Sequence, residues 1–368
     1  MELLETEIYL RYKQIIESQK ASSFTCHPGQ VLFDHLQLLL LSGHDPRMGT
    51  ASPFLCENAQ PRQVRMSDLL DRYDAFCFDG YGTLYNRGSF VYPGAMEWFK
   101  MLRQAGKNLR LVTNAASDVD EVLARDADKR GFDFSTEETI SSGSLLLNLV
   151  KQLRRGESAD GNAAPDGSAD GNATLEGSAA KSLDLREVYY IGRETGKNVL
   201  AKCGIEAVAM DAEPAEPVVA ISSAKETPET YARAIKILQK PGAILLVLNS
   251  DAWAPKIPDE NGVTVREPVS GALSERLRRD SACDANADEG CTTYYLGKPF
   301  PQIWERVKAS LPAGSRVLMI GDTLGTDVFG AKVAGFDSAL VVGRNVPADE
   351  LEADETALGI RPDWYLVP

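Results

Sequence analysis

Histidine is nearly missing from this sequence. The 368 residues include three, His27, His35 and His44, all before residue 45. Unless the N-terminal segment folds over the active centre, acid–base work and metal binding in the main body fall to other side chains. Spacings of eight and nine residues do not match the i, i+4 placement of paired ligands on a helix, so these histidines read as surface or core positions. The six cysteines (Cys26, Cys56, Cys77, Cys203, Cys283, Cys291) show no CxxC or other ligand-like spacing. That pattern predicts reduced thiols in a cytoplasmic protein and disfavours a Cys283–Cys291 pair. No apolar run approaches the ~20 residues that span a membrane. The first 20 residues hold four glutamates and no apolar signal core, which argues against a secretory or mitochondrial presequence. Clustered Lys and Arg are also lacking, and the formal net charge is −14. Nucleic acid is therefore excluded as an expected partner, while a local phosphate pocket needs only a few cations.

What is present reads as alternating strand and helix. Hydrophobic content of 43% over this length suffices for two cores. Residues 2–19, with Leu3, Leu4, Ile8, Leu10, Ile15 and Ile16 among charges, predict an amphipathic helix, and residues 30–42 a second. Gly43 to Pro61 reads as loop. This extension carries no interpretable motif, and docking or oligomerisation is as good a reading as substrate contact. From Met66 onward a strand at Tyr73–Phe78, a proline-opened helix at Pro93–Ala105, a strand at Leu109–Thr113, a helix near Asp118–Lys129 and a strand at Thr139–Ser142 imply a parallel sheet with crossover helices.

Residues 158–167 and 168–177 form a tandem ten-residue repeat nearly devoid of large apolar side chains. It predicts an unstructured inserted loop near 156–182. Strands at Val188–Ile191, Val218–Ile221 and Ala243–Leu248, with helices at Pro228–Leu238 and Pro268–Arg278, then predict a second, smaller α/β unit. A polar insertion at Asp280–Gly290 closes it. The first texture returns with strands at Thr292–Leu296, Arg316–Ile320 and Ala339–Val342 and a helix at Val328–Ala334. The expected division is an N-terminal helical extension (1–66), a Rossmann-like parallel-sheet core in two parts (67–145 and 292–368), and an inserted α/β cap (146–291).

The chain is organised around Phe76-Cys77-Phe78-Asp79-Gly80-Tyr81-Gly82-Thr83. An apolar strand ends on a carboxylate and breaks into a glycine turn, which places Asp79 where open α/β sheets bind ligands. Alone, Asp79 reads equally well as the start of an ordinary turn. Three further short motifs stand at or near strand ends: Thr113-Asn114, Lys298-Pro299, and Gly321-Asp322 with Asp327. Together and in this order they resemble the haloacid dehalogenase superfamily over residues 67–368. The 34 residues from Asp79 to Thr113 leave no room for a large helical cap, and the 185 from Thr113 to Lys298 place the inserted unit between the second and third motifs. That arrangement, with Tyr92-Pro93-Gly94-Ala95 and Leu248-Asn249-Ser250-Asp251, resembles the para-nitrophenyl-phosphatase and sugar-phosphatase branch.

The resemblance implies a phosphatase acting on a small phosphorylated metabolite. Asp79 would be the nucleophile that forms an aspartyl-phosphate. Lys298 would supply a fixed cation, and Asp79, Asp322 and the main-chain carbonyl of Tyr81 would hold Mg²⁺. The Thr113 hydroxyl and the Asn114 amide would bind phosphate oxygens. Asp327 would brace Lys298 or the metal's surroundings. Asn249 and Asp251 are candidates for contact between cap and core, and a dimer through the cap is permitted.

One residue departs from the pattern: Tyr81 stands where those phosphatases carry an aspartate as general acid and base. A phenol with a reference pKa of ~10 suits neither task at neutral pH. Three readings follow. One is a phosphatase favouring aryl or acyl leaving groups. Another is a phosphate-ligand-binding protein with reduced turnover. The third is a 2-haloacid dehalogenase, whose Asp-x-Tyr-Gly-Thr motif matches but whose cap placement does not.

Overall fold

The computed structural model describes residues 4–21, 61–155, 183–260, 262, 264–283 and 291–367. The second N-terminal helix, the loop at 43–60 and the tandem repeat fall outside the described residues. Seven strands form the larger sheet: β1 (Arg62–Val64), β2 (Ala75–Phe78), β3 (Asn108–Thr113), β4 (Thr139–Ser141), and, late in the chain, Val317–Gly321, Asp337–Val341 and Trp364–Leu366. Between them lie β5 (Glu187–Ile191), β6 (Glu206–Ala207), β7 (Val218–Ile221), β8 (Ile244–Val247), β9 (Trp253–Pro255), β10 (Arg266–Pro268) and β11 (Thr292–Tyr295), so the three late strands are β12, β13 and β14. The large sheet runs β1-β14-β13-β12-β2-β3-β4 and is parallel throughout. The smaller sheet runs β11-β8-β7-β5-β6, also parallel, and β9 with β10 forms an antiparallel ribbon.

Both sheets are covered on both faces, which is why their strands read as nearly continuous apolar runs. In β2, Phe76 and Phe78 pack with Trp98, Phe99 and Leu102 of the helix Ala95–Gln104. Ala75 and Cys77 point the other way, toward Ile303, Trp304 and Val307 of the helix Pro301–Ala309. The helix Pro228–Leu238 starts where its residues dictate: Thr227 accepts the Thr230 amide at 3.3 Å and Pro228 opens the first turn.

Two sequence expectations are corrected. Thr292–Tyr295, expected in the large sheet, pairs with β8 at the edge of the smaller one. Its β-branched and aromatic residues suit an edge of either sheet, and register with Ile244–Val247 decides the matter. Cys283 and Cys291, expected as thiols, form a disulfide. The helix Ser270–Asp280 ends beside the start of β11 and brings their Cα atoms to 4.6 Å, within disulfide reach. Cys77 and Cys203 are buried free thiols.

The N-terminal helix spans Glu5–Ala21. Its buried stripe is Ile8, Tyr9, Tyr12, Ile15 and Ile16, and it joins one cluster with residues of both units, Leu273 and Leu277 on one side and Leu324, Val328 and Leu358 on the other. Polar contacts fix the same seam. Arg11 Nε meets Glu275 Oε2 at 3.0 Å, Arg266 Nη1 meets Glu5 Oε2 at 2.5 Å, and Lys13 Nζ donates to Leu358 O at 2.8 Å. No helix among the described residues is long and apolar enough to cross a membrane.

Candidate active site

Three adjacent strands, β12, β2 and β3, deliver Asp322, Asp79 and Thr113 at their carboxyl ends. This lies where strand order changes direction around β2, the place at which open α/β sheets form a crevice. The Asp79 amide donates to Ile320 O at 2.9 Å, which ties the turn to the neighbouring strand. Lys298 Nζ, 1% exposed, donates to Asp79 Oδ1 at 2.6 Å and to Asp327 Oδ1 at 2.8 Å. The other oxygen of Asp327 accepts the amides of Asp322 and Thr323, each at 3.1 Å.

Asp322 differs from Asp327. Its Oδ1 accepts the Thr323 hydroxyl at 3.3 Å, while Oδ2 is buried with no hydrogen-bond partner. Gly82 makes that placement feasible: at φ +105°, a Cβ there would stand 1.9 Å from Asp322 Oδ2. Gly321 plays the matching part for Asp327, whose carboxyl carbon would lie 2.1 Å from an added Cβ. The glycines of both motifs thus make room for carboxylates.

The electrostatics follow from crowding. Burial pushes Asp79 up to about 7; Lys298 opposes that shift, while Asp327 and Asp251 add to it. Burial, then Asp79 and Asp327, hold Asp322 well above the usual carboxylate range. Burial also works against the charge on Lys298, but Asp327 and Asp79 outweigh it and push its pKa up. Oxygens of Asp79, Asp322 and Asp327 lie within 4.8 Å of one another. A buried, unpartnered oxygen in an all-oxygen cluster with excess negative charge fits a hard divalent cation.

The cap reaches this centre through the loop after β8. Asn114 Nδ2 donates to Asp251 Oδ1 at 2.8 Å, to Ser250 Oγ at 3.2 Å and to Lys298 O at 3.0 Å, and Asn114 Oδ1 accepts the Lys298 amide at 2.7 Å. Ser250 also donates to Lys298 O. Burial pushes Asp251 up to about 6 against the pull of Lys298. Asn249 does not join the centre: its Oδ1 accepts the Asp251 amide at 2.8 Å and shapes its own loop. Ser250, passed over in the sequence, makes the contact instead. Asn-Ser-Asp offers three polar side chains in a row, and only the fold decides which face inward.

Thr113 is buried, and its Oγ1 accepts the Ala115 amide at 3.2 Å, which leaves the hydroxyl proton free to donate. Tyr81 turns elsewhere. Its hydroxyl donates to Asp126 Oδ2 at 3.4 Å, and its ring stands edge-on to Tyr85 with centroids 5.1 Å apart. Burial first, then Asp126, raise its pKa above the ordinary phenol value. Asp126 in turn meets Arg130 at 2.7 Å.

Comparison with known proteins agrees with this geometry. A haloacid dehalogenase-like hydrolase family model matches residues 76–206, and a second HAD-hydrolase-like model matches residues 295–366. The 4-nitrophenylphosphatase of Schizosaccharomyces pombe is 27% identical, over 84% of this chain and 95% of that protein. Mouse chronophin is 25% identical over the same shares. Among solved structures, a possible sugar phosphatase from Cytophaga hutchinsonii superposes with a TM-score of 0.62 at 22% identity, covering 83% of this chain and 97% of the other. The strand-end carboxylates, the buried lysine and these matches agree, and the chain belongs to the haloacid dehalogenase-like hydrolases.

Proposed function

We propose that this chain is a phosphatase that uses Asp79 as nucleophile and Mg²⁺ as its metal, acting on a small phosphorylated metabolite. The observation that carries the reading is the pairing of Lys298 with Asp79 and Asp327 beside the unpartnered Asp322 Oδ2. Asp79, Asp322 and the Tyr81 carbonyl would hold the ion, which supplies charge neutralisation at the transferring phosphoryl group when bound. A carboxylate oxygen of Asp79 attacks phosphorus as the bond to the leaving oxygen breaks, giving an aspartyl-phosphate that water then cleaves. The Thr113 hydroxyl and the Asn114 amide donate to phosphate oxygens, where preorganised donors count most. Asp327, held by two amides, fixes the Lys298 ammonium against Asp79. Asp251 links the cap loop to Asn114, so the cap borders the phosphate position.

Tyr81 sets the preference among leaving groups. The Tyr81 hydroxyl is committed to Asp126, and a phenol of raised pKa does not ionise to take up a proton from water, so aryl and acyl phosphates, whose leaving groups need no proton, are favoured. The test is turnover of aryl, acyl and alkyl phosphates and a 2-haloacid, with and without Mg²⁺, in the wild type and in Tyr81→Asp. The variant should raise alkyl-phosphate hydrolysis by about 10- to 100-fold, because it restores a proton carrier. Equal wild-type rates on alkyl and aryl phosphates would refute the leaving-group preference. Metal-independent halide release would refute the phosphatase reading. Phosphate binding without turnover would identify a binding protein.

A further inference from the structure

We propose that Tyr9, in the N-terminal helix, is a positioning residue of the active centre. This inference rests on the phosphate site proposed above. Residue 9 lies far ahead of the first family match, which begins at residue 76. Tyr9 is 2% exposed and touches both halves of the centre.

Its ring lies against Gly325 in the turn Leu324–Val328, between Asp322 and Asp327; a Cβ on Gly325 would fall 2.1 Å from Tyr9 Cγ. Its hydroxyl accepts the buried Ala252 amide at 3.3 Å. Ala252 follows Asp251, which accepts from Asn114, and Asn114 brackets both the amide and the carbonyl of Lys298. One side chain therefore sets the spacing between the core turn that bears two carboxylates and the cap loop that locks the phosphate-facing Asn114 and Lys298. A hydroxyl removed at this point leaves the Ala252 amide buried without an acceptor and frees the loop to shift.

Tyr12, one turn along the same helix, is the matched comparison. It is fully buried, its ring packs edge-on against Tyr295 and Phe300 at 5.2 and 5.3 Å, and its hydroxyl has no hydrogen-bond partner. The same chemical change at the two tyrosines thus removes a hydrogen bond in one case and none in the other.

The experiment compares Tyr9→Phe, Tyr12→Phe and the wild type, each as the full chain. Inorganic phosphate binding is measured by calorimetry in Mg²⁺, together with kcat and KM on 4-nitrophenyl phosphate and the melting temperature. Tyr9→Phe should weaken phosphate binding about 5- to 10-fold and raise KM in step, whereas Tyr12→Phe should stay within about twofold on every measure. Gly325→Ala reaches the same end by pushing the ring away and should weaken phosphate binding at least as much. Wild-type phosphate affinity in Tyr9→Phe, even with a lowered melting temperature, would overturn the proposal. Equal losses in the two tyrosine variants would overturn it as well, since they would show a merely structural helix. Wild-type protein that binds phosphate but does not turn over substrate refutes the phosphatase reading alone, and wild-type protein that binds none refutes both.

Discussion

Strand ends of the two parallel sheets do different work. The large sheet ends on Asp79 and Asp322 beside Lys298, buried charges that crowd one another. In the smaller sheet β5 and β7 run directly into Gly192 and Ser222, small or neutral groups, while the loops after β8 and β11 send Ser250, Asp251 and Lys298 to the core's centre. Ser222 Oγ shares hydrogen bonds with Tyr190 at 2.5 Å and with Ser117 of the core at 3.3 Å. Gly192 and Gly196 leave the room the Tyr190 hydroxyl needs, for an added Cβ would lie 2.3 and 1.8 Å from it. The core thus concentrates unfavourable charge that a cation and a phosphoryl group can use. The cap meets it with bonded neutral groups, Ser222 and Ser250, and with one further buried carboxylate, Asp251. Similar topology does not dictate similar work; the residue at the strand end does.

The strongest challenge to this contrast is Lys298→Met. It leaves Asp79 and Asp327 buried without their ammonium, so turnover should fall by roughly 10³-fold or more and stability by about 3–5 kcal/mol. Rate assays and denaturant unfolding check both.

A medium effect concerns protons. Asp251 and Asp79 are raised to about 6 and about 7 in the folded chain, against ~3.9 when unfolded. The folded state therefore holds protons more tightly, and that stabilisation is complete below pH ~4 and lost as pH rises to ~7. The melting temperature of EDTA-treated protein should fall from pH ~5 to ~8, and Asp251→Asn should flatten part of the fall. A melting temperature that rises over this range would contradict the crowded-charge account.

The smallest effect belongs to the cap. Ser222→Ala should cost about 1 kcal/mol and leave turnover within about threefold. A loss comparable to that of Lys298→Met would erase the distinction between the charged centre and the neutral strand ends of the cap.

Much of the site was legible because its signals are local. Asp79 before Gly80 and Gly82, and Gly321 before Asp322, are strand ends that break into glycine turns, a signal readable within a few residues, although the carboxylate for which Gly82 makes room, Asp322, lies far along the chain. Val218–Ile221 and Pro228–Leu238 fall where their apolar pattern and proline start put them. The missed features depend on distant partners. β11 belongs to the smaller sheet because of its pairing with β8, Cys283 meets Cys291 because a helix end and a strand start converge, and Ser250 faces Lys298 because Asn249 turns back on its own loop. In the N-terminal helix the apolar pattern was visible, but Leu4 proved exposed, and the tyrosines that matter draw their meaning from Gly325, Ala252, Tyr295 and Phe300.

The seam held by the N-terminal helix also imposes an order on synthesis. Lys13 and the Leu358 carbonyl that accepts from it are 345 residues apart. At about 5–20 residues per second, a ribosome needs roughly 20–70 s between making the two. Leu273, Leu277 and Phe300 can cover part of the helix's apolar face earlier, but the side that meets Leu358 must wait for the whole interval. The seam is thus completed only when the helix Leu351–Leu358 has been made, and a nascent chain interrupted before it would leave one side of that face uncovered.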